Sequence, residues 1–412
     1  MKSVFFKISC IFLLTFLPFT LLSQVKINVN IDDINDTVLY LIKYKSDKTQ
    51  NIIDTSSSSY TKKTFSNRQN YDEGIYVLAD SKQQPIFEIL IGNDQKFSVH
   101  VKELMDLDSY KIKGSKETSD YFKVYSKTIH ENLHIKALES EIEYYPENVK
   151  KIDSIKKELY DYQESMISKN KKSFLNTYIK FIEKSPTTNY FDELPLCDTR
   201  ILNSRLLKNK LDDYFDNYMS EQKPDVICQN IDDLISKTND CHKIRDYILW
   251  YLYSRYFNND LIYIHLTDNY FSKFEISNLT ENIKNEIVKR ADILRKITIG
   301  SLSPTFTYID NDGNKISLEE FNSKYIVLFF YKPDCQKCIR EKRILEEIKK
   351  TQKELTLLYI DISEDNYSNV SQDIINQYDI TTTPTIYVLD KDKRIIAKNI
   401  KAEQIEFHII NK

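Results

Sequence analysis

The feature that most constrains this chain is an unbroken apolar run in its last quarter. Residues 325–331 have the sequence YIVLFFY, and Cys335-Gln336-Lys337-Cys338 follows four residues after the run ends. A continuous apolar run of this length is expected of a central strand that is buried on both faces. The amphipathic residues 339–353 predict a helix directly afterwards. The two cysteines therefore stand where a buried strand passes into a helix.

Strands and helices alternate through the rest of residues 299–412. A second apolar run predicts another buried strand, and two shorter β-rich runs flank the turn Asp390-Lys391-Asp392. Helical patterns separate or follow them. The predicted order βαβαββα indicates a compact α/β domain. Its later elements are expected at residues 355–360 (strand), 373–378 (helix), 385–389 and 394–397 (strands) and 402–410 (helix).

The chain upstream has two different textures. Residues 24–114 contain period-two alternation, as in residues 25–31, and predict a small antiparallel β-domain. Residues 115–298 contain no Gly and show helical periodicity, as in residues 151–169, and predict an all-α domain. The expected fold class is multidomain α+β, which fits a length of 412 residues.

Residues 1–23 have the three parts of a secretory signal peptide. Lys2 and Lys7 give a positive start, residues 8–22 are mostly apolar, and a small residue stands at the expected cleavage point. An uncleaved membrane anchor is the alternative, but the run is shorter than the roughly 20 residues of a spanning helix and contains Pro18. We therefore expect an exported protein of the periplasm or cell envelope, with no membrane span after cleavage.

Composition and cysteine count exclude several classes. The 58 basic and 61 acidic residues nearly cancel, so the chain lacks the basic footprint of a nucleic-acid-binding protein. Six cysteines are too few for a disulfide-dense scaffold. Signal cleavage removes Cys10 and leaves an odd number, so at least one thiol cannot pair within the chain. Outside the CxxC pair, Cys197, Cys228 and Cys241 form an odd set with at most one bridge. Cys228 and Cys241 either form that bridge or stay unpaired and buried.

The position of the CxxC motif predicts redox chemistry. A helix N-terminus presents unpaired N–H groups and positive dipole charge, which stabilise a thiolate at Cys335 and can lower its pKa to about 7 or below. Lys337 adds a modest favourable charge. We expect Cys335 to attack a substrate disulfide and Cys338 to resolve the mixed disulfide. A zinc half-site and an inert structural disulfide are the alternatives, but no second ligand pair follows at zinc-finger spacing.

The C-terminal part of the sequence resembles a known family. Residues 299–412 resemble the thioredoxin-fold domains of the TlpA/ResA type, which are exported thiol–disulfide oxidoreductases. The resemblance lies in a lead-in (residues 300–306), a first hairpin (residues 310–318), the active-site segment (residues 329–338) and the Thr-Thr-Pro-Thr loop (residues 382–385). Residues 24–298 resemble, more loosely, the unassigned regions that precede such domains in Gram-negative envelope proteins.

The resemblance implies a fold, a substrate site and partners. It implies that Pro384 is cis and that the Thr383 backbone pairs with an extended substrate. It implies reduction of disulfides in exported proteins, with a membrane-bound thiol electron donor and no cofactor or metal. A peroxiredoxin is disfavoured because Lys332 occupies the position where its peroxidatic cysteine needs Thr or Ser.

Several positions depart from the family pattern. Phe329 stands where thioredoxins commonly carry an acidic residue that assists proton transfer. Glu341 matches a glutamate of ResA-type proteins and is predicted to accept the proton of Cys338, although a solvated helix-surface charge is the simpler interpretation. Asp334 replaces a Trp, and Lys337 replaces a proline. These changes bear on redox potential and rate.

Two other functions remain open. The large upstream part could recognise a partner, which would make the protein an envelope binding or scaffold protein with a slow redox domain. The sequence His130-Glu131-Asn132-Leu133-His134 matches HExxH, which on a helix places two His and a general base at a zinc ion. Its polar surroundings and the lack of a suitable third ligand disfavour a metalloprotease.

Overall fold

The computed structural model describes residues 24–34, 37–44, 50–59, 62–169, 172–183, 189–309, 313–363 and 372–410. The chain divides into two compact units, Met1–Ser220 and Glu221–Lys412. The domain boundaries drawn from the sequence, at residues 114 and 298, stay a prediction. The predicted signal peptide at residues 1–23 lies outside the described residues.

The first unit begins with two β-sheets whose strand orders are β4-β5-β1-β8-β9 and β3-β2-β6-β7. The pairings are antiparallel except that of β1 with β8, which is parallel. The predicted β-domain is thus confirmed, with one exception to its antiparallel pairing. Strands β1 and β8 are parallel, which the long connection between them allows. The strands are β1 (Val25–Ile31), β2 (Tyr40–Tyr44), β3 (Gln50–Thr55), β4 (Ser57–Ser59), β5 (Lys62–Asn67), β6 (Gly74–Ala79), β7 (Pro85–Ile91), β8 (Lys96–Val101) and β9 (Lys111–Lys113).

Helices complete the first unit and begin the second. Ser115 caps the first of them through its hydroxyl, which accepts from the Thr118 N–H. Pro224 lies in the first turn of α5, where its missing N–H costs nothing. The helices are α1 (Lys116–Ser140), α2 (Asn148–Lys169), α3 (Phe174–Ile182) and α4 (Leu206–Asn217) in the first unit, and α5 (Pro224–Ser236), α6 (His242–Arg255), α7 (Asp260–Leu266) and α8 (Glu281–Lys296) in the second.

The rest of the second unit has the predicted α/β order. A short hairpin precedes a four-stranded sheet with strand order β13-β12-β14-β15, in which β12 pairs parallel with β13 and antiparallel with β14. The elements are β10 (Thr307–Ile309), β11 (Lys315–Ser317), β12 (Tyr325–Tyr331), α9 (Gln336–Thr351), β13 (Leu355–Asp361), α10 (Gln372–Gln377), β14 (Thr385–Asp390), β15 (Ile395–Lys398) and α11 (Ile405–Ile410).

Strand β12 is buried along its whole length, as the apolar run predicts. Successive side chains point to opposite faces of a strand. Phe329 joins the core cluster that includes Leu345 of α9. Phe330 packs instead against Tyr378 and Tyr387, at ring-centroid distances of 5.3 and 6.1 Å. Both faces of the strand are therefore covered, which fixes the position of the loop that follows it.

Among the described residues, the helices are all too short or too polar to traverse a bilayer.

Candidate functional site

The two cysteines of the CxxC motif lie at the start of α9. Cys335 is the N-cap residue, with extended backbone angles, and its Sγ accepts a hydrogen bond from the Cys338 N–H at 3.2 Å. The Cα atoms of Cys335 and Cys338 are 5.2 Å apart, and the two sulfurs are bridged as a disulfide. The prediction that the motif caps a helix directly after the buried strand is confirmed.

The two sulfurs differ in their access to solvent. Cys335 is partly exposed, whereas Cys338 is 1% exposed and belongs to the core cluster with Phe329 and Leu345. A bulky disulfide substrate can therefore reach Cys335 but not Cys338. This asymmetry is what an attacking and a resolving cysteine require.

The loop ahead of β14 faces the partly exposed cysteine. The peptide bond between Thr383 and Pro384 is cis, as the resemblance implied. The carbonyl oxygen of Thr383 lies 3.8 Å from Cys335 Sγ. The Thr385 hydroxyl donates to the Thr382 carbonyl at 2.7 Å and helps to hold the loop. Cys335 and Thr383, which are 48 positions apart in the sequence, thus meet at the end of the sheet where β12 ends and β14 begins.

The charged positions near the motif have distinct surroundings. Lys337 is exposed on the first turn of α9. Glu341 is half-buried, and its Oε2 accepts a hydrogen bond of 2.6 Å from the Ala402 N–H. It is therefore not a freely solvated surface charge, because its carboxylate caps the turn that leads into α11. Phe329 is fully buried, so the position of the usual thioredoxin acid offers no proton acceptor.

The HExxH residues lie on α1 without the grouping that a metal ion needs, as far as the described part of the chain shows. His130 and His134 are exposed on α1, and Glu131 forms an ion pair with Lys127 at 3.0 Å. Within the described ranges, no three His, Cys, Asp or Glu side chains are grouped so as to hold a metal ion. The structure thus does not favour the metalloprotease.

Cys228 carries a free thiol, so the alternative of a Cys228–Cys241 bridge is excluded. Burial, together with the nearby carboxylates Asp232 and Asp225, raises the pKa of the Cys228 thiol to about 11. A thiol with such a pKa is almost fully protonated near neutral pH and hence unreactive.

Sequence patterns gave no indication of an ion pair that holds the segment leading into the cis-proline loop. The Arg290 guanidinium of α8 donates to both carboxylate oxygens of Asp379, at 2.9 and 2.8 Å. It also donates to the Phe257 carbonyl at 2.9 Å and lies 3.7 Å from the Phe257 ring centroid. Arg290 and Asp379 are 89 residues apart, and a long-range pair of this kind has no local sequence signature.

Comparisons with known proteins find similar sequences and a similar solved structure. Residues 299–403 match the AhpC/TSA family. The thiol–disulfide oxidoreductase ResA of Bacillus thuringiensis subsp. konkukian is 28% identical over 127 residues, which cover 26% of this chain and 73% of that protein. The chloroplastic peroxiredoxin Q of Suaeda salsa is 42% identical over only 45 residues, 11% of this chain and 21% of that protein. A crystal structure of a thioredoxin-like protein from Bacteroides caccae covers 55% of this chain and 91% of its own, with 22% identity and a TM-score of 0.47.

Proposed function

We propose that the protein is an exported thiol–disulfide oxidoreductase that reduces protein disulfides through Cys335 and Cys338. Its C-terminal domain is thioredoxin-like, matches the AhpC/TSA family and is similar to ResA proteins. The observation that carries the proposal is the placement of a partly exposed Cys335 Sγ at a helix N-terminus, beside Cys338 and 3.8 Å from the Thr383 carbonyl. Lys332, three residues before Cys335, supports a disulfide reductase over a peroxiredoxin.

The reaction begins from the reduced dithiol. The Cys335 thiolate attacks one sulfur of a substrate disulfide, the substrate S–S bond breaks, and a mixed disulfide forms while the leaving thiolate takes a proton. Cys338 then loses its proton and attacks Cys335 Sγ, which releases the second substrate thiolate. Two electrons pass to the substrate, and the protein is left with the Cys335–Cys338 disulfide. A membrane-bound thiol donor would return it to the dithiol.

Electrostatics at the helix start supports the first step. The Cys338 N–H already points at Cys335 Sγ at 3.2 Å, and the α9 dipole is positive at this end. Both stabilise a thiolate on Cys335 more than a thiol. The exposed Lys337 contributes a smaller, salt-screened attraction.

Glu341 is the proposed proton acceptor for Cys338. It lies three residues further along α9, and residues three apart on a helix are neighbours on one face. Its carboxylate is fixed by the Ala402 N–H, so the acceptor would be held in place. Phe329 is buried in the same core cluster as Cys338 and offers no alternative proton acceptor.

The cis-proline loop is the proposed substrate-binding element. Thr383 and Pro384 are partly exposed, and the Thr383 carbonyl faces Cys335. The backbone of an extended substrate chain can therefore pair with Thr383 while its half-cystine reaches Cys335. Main-chain pairing of this kind is independent of substrate sequence. The expected partners are therefore disulfide-containing exported proteins.

Export is the second part of the proposal and rests on the pattern of residues 1–23. The mature protein is expected to begin near Gln24 and to function in the periplasm or cell envelope. Mass spectrometry of the protein recovered from the envelope and cytoplasmic fractions tests this. Protein that stays in the cytoplasm and keeps Met1 would contradict export.

Insulin reduction tests the chemistry. The purified protein should accelerate insulin precipitation in the presence of dithiothreitol, and Cys335→Ser should abolish the acceleration. Cys338→Ser should instead accumulate a mixed disulfide with the substrate. Cys228→Ser is the matched control, since it removes a free thiol outside the site and should leave the rate unchanged. Unchanged insulin reduction by Cys335→Ser would exclude the mechanism.

A further inference from the structure

A groove of about 450 Å³ lies within the C-terminal unit, at the end of the segment that leads into the cis-proline loop. One wall comes from the thioredoxin-like fold and includes Ile380 and Thr381. The other comes from the helices ahead of it and the turn that follows α6, and includes Phe257, Ile283 and Ile287. The second wall lies outside residues 299–403, the part that matches the AhpC/TSA family.

The groove begins close to the reactive sulfur. Thr381 lines it and is two residues from Thr383, so their Cα atoms are at most about 7.6 Å apart. The Thr383 carbonyl in turn lies 3.8 Å from Cys335 Sγ. An extended chain advances about 3.3 Å per residue. A substrate that pairs with Thr383 therefore brings residues two to four positions from its half-cystine over the groove.

The two walls are held in a fixed relation. Arg290 of α8 binds Asp379 through two hydrogen bonds, and the side chains of this pair are only 13% and 14% exposed. Lys398 of β15 forms an ion pair with Asp260 at the start of α7. The groove is thus a built feature that needs no rearrangement to receive a chain, which lowers the entropy cost of binding.

The lining of the groove matches an apolar side chain on an extended backbone. Ile283, which is 42% exposed, lines the groove together with Ile287 and Ile380, so an apolar side chain bound there would cover aliphatic surface. The amides of Asn282 and Asn376 also line the groove, and they offer donors and acceptors to an unpaired main chain. Glu286 and Lys289 lie there too and carry opposite charges, so the groove has no strong preference for charge.

We propose that this groove is a specificity subsite that binds an apolar side chain of the polypeptide substrate, two to four residues from the disulfide under attack. The inference rests on the proposed function and extends it to substrate class. The upstream helices α6–α8 thereby take part in substrate selection. Protein disulfides with an apolar neighbour are preferred over small disulfides and over polar sequences.

The test uses Ile283→Asp with Leu261→Asp as its control. Both residues are exposed and lie in the first turn of a helix, where an aspartate suits the helix dipole. Leu261 does not line the groove. Pre-reduced full-length protein is mixed with synthetic peptides whose single Cys is disulfide-linked to 5-thio-2-nitrobenzoate. The peptides carry Leu or Ser at two, three or four residues from the Cys on either side, and 2-hydroxyethyl disulfide serves as a substrate without a chain.

Wild type and Leu261→Asp should react about tenfold faster with the best Leu peptide than with its Ser counterpart, as expected for burial of one aliphatic side chain. Ile283→Asp should remove that preference and keep the wild-type rate with 2-hydroxyethyl disulfide. Equal rates for Leu and Ser peptides in wild type would overturn the subsite. So would a change of oligomeric state in Ile283→Asp by size-exclusion chromatography, because the groove would then be covered by a second copy. No reaction of wild type with any of these substrates, neither the peptides nor 2-hydroxyethyl disulfide, would refute the proposed function itself.

Discussion

Breaking the Arg290–Asp379 pair should destabilise the C-terminal unit strongly. Arg290→Met removes the guanidinium and leaves the Asp379 carboxylate without its two donors at 2.9 and 2.8 Å. Removing one partner of a buried pair typically costs about 3–5 kcal/mol. Because these side chains keep 13% and 14% of their exposure, water partly solvates the orphaned carboxylate, and we expect about 3 kcal/mol.

A double-mutant cycle separates the pair from its surroundings. Asp379→Asn keeps an acceptor for Arg290 but loses the charge, so it should cost less, about 1–2 kcal/mol. The double variant has no orphaned carboxylate, and its cost should fall short of the sum of the single variants by at least about 1 kcal/mol. Lys350→Met is the control, since the exposed Lys350–Glu347 pair in the same unit should contribute at most about 0.5 kcal/mol.

Urea unfolding followed by tryptophan fluorescence measures these free energies. The chain has one Trp, and Trp250 lies in α6 of the C-terminal unit, where its Nε1–H donates to the Ser277 carbonyl at 3.0 Å. The signal therefore reports this unit. A coupling energy near zero, or a cost for Arg290→Met no larger than that for Lys350→Met, would refute the view that this pair anchors α8 to the thioredoxin-like fold.

Three further predictions concern single side chains. Glu341→Gln keeps an acceptor for the Ala402 N–H but removes the proposed base, so it should slow release of the mixed disulfide without changing the free energy of unfolding. An unchanged rate of release would assign Glu341 a capping role alone. Alkylation of Cys228 by iodoacetamide should be slow at pH 8, because about one thiol in a thousand is ionised there at a pKa of about 11. The alkylation rate should rise about tenfold per pH unit until the pH approaches that pKa. Rapid labelling at pH 8 with the fold intact would contradict this environment. His130→Ala should leave zinc content and insulin reduction unchanged by metal analysis and turbidity, whereas stoichiometric zinc lost in this variant would restore the metalloprotease hypothesis.

Local patterns predicted the elements that carry the reactive site. The apolar run at residues 325–331 predicted a doubly buried strand, because its short length and its β-branched and aromatic residues favour a central strand whose side chains point alternately to two covered faces. The helix after it followed from amphipathic spacing, and the two together located Cys335 at a helix N-terminus. The period-two alternation in residues 25–31 predicted β1 as a strand with one buried face.

Pairing over long distances was less predictable. The parallel partner of β1 is β8, some 70 residues away, and alternation is the same in parallel and antiparallel strands. Glu341 was expected as a proton acceptor or a solvated charge, but its bond to Ala402 depends on how α9 and the turn before α11 pack. The HExxH residues do lie on a helix, α1, but a metal site also needs further ligands that converge in space.

The sequence by itself determined that a dithiol stands at the junction of a buried strand and a helix, because hydrophobic periodicity and helix-end electrostatics act over a few neighbouring residues. Only the tertiary structure decided which sulfur is accessible, that the Thr383 carbonyl lies beside it, and that α8 supplies a second wall next to the cis-proline loop. Those features arise from contacts between residues tens of positions apart, such as Arg290 and Asp379. Their energies depend on distance and burial in the folded chain, which no local stretch of sequence encodes.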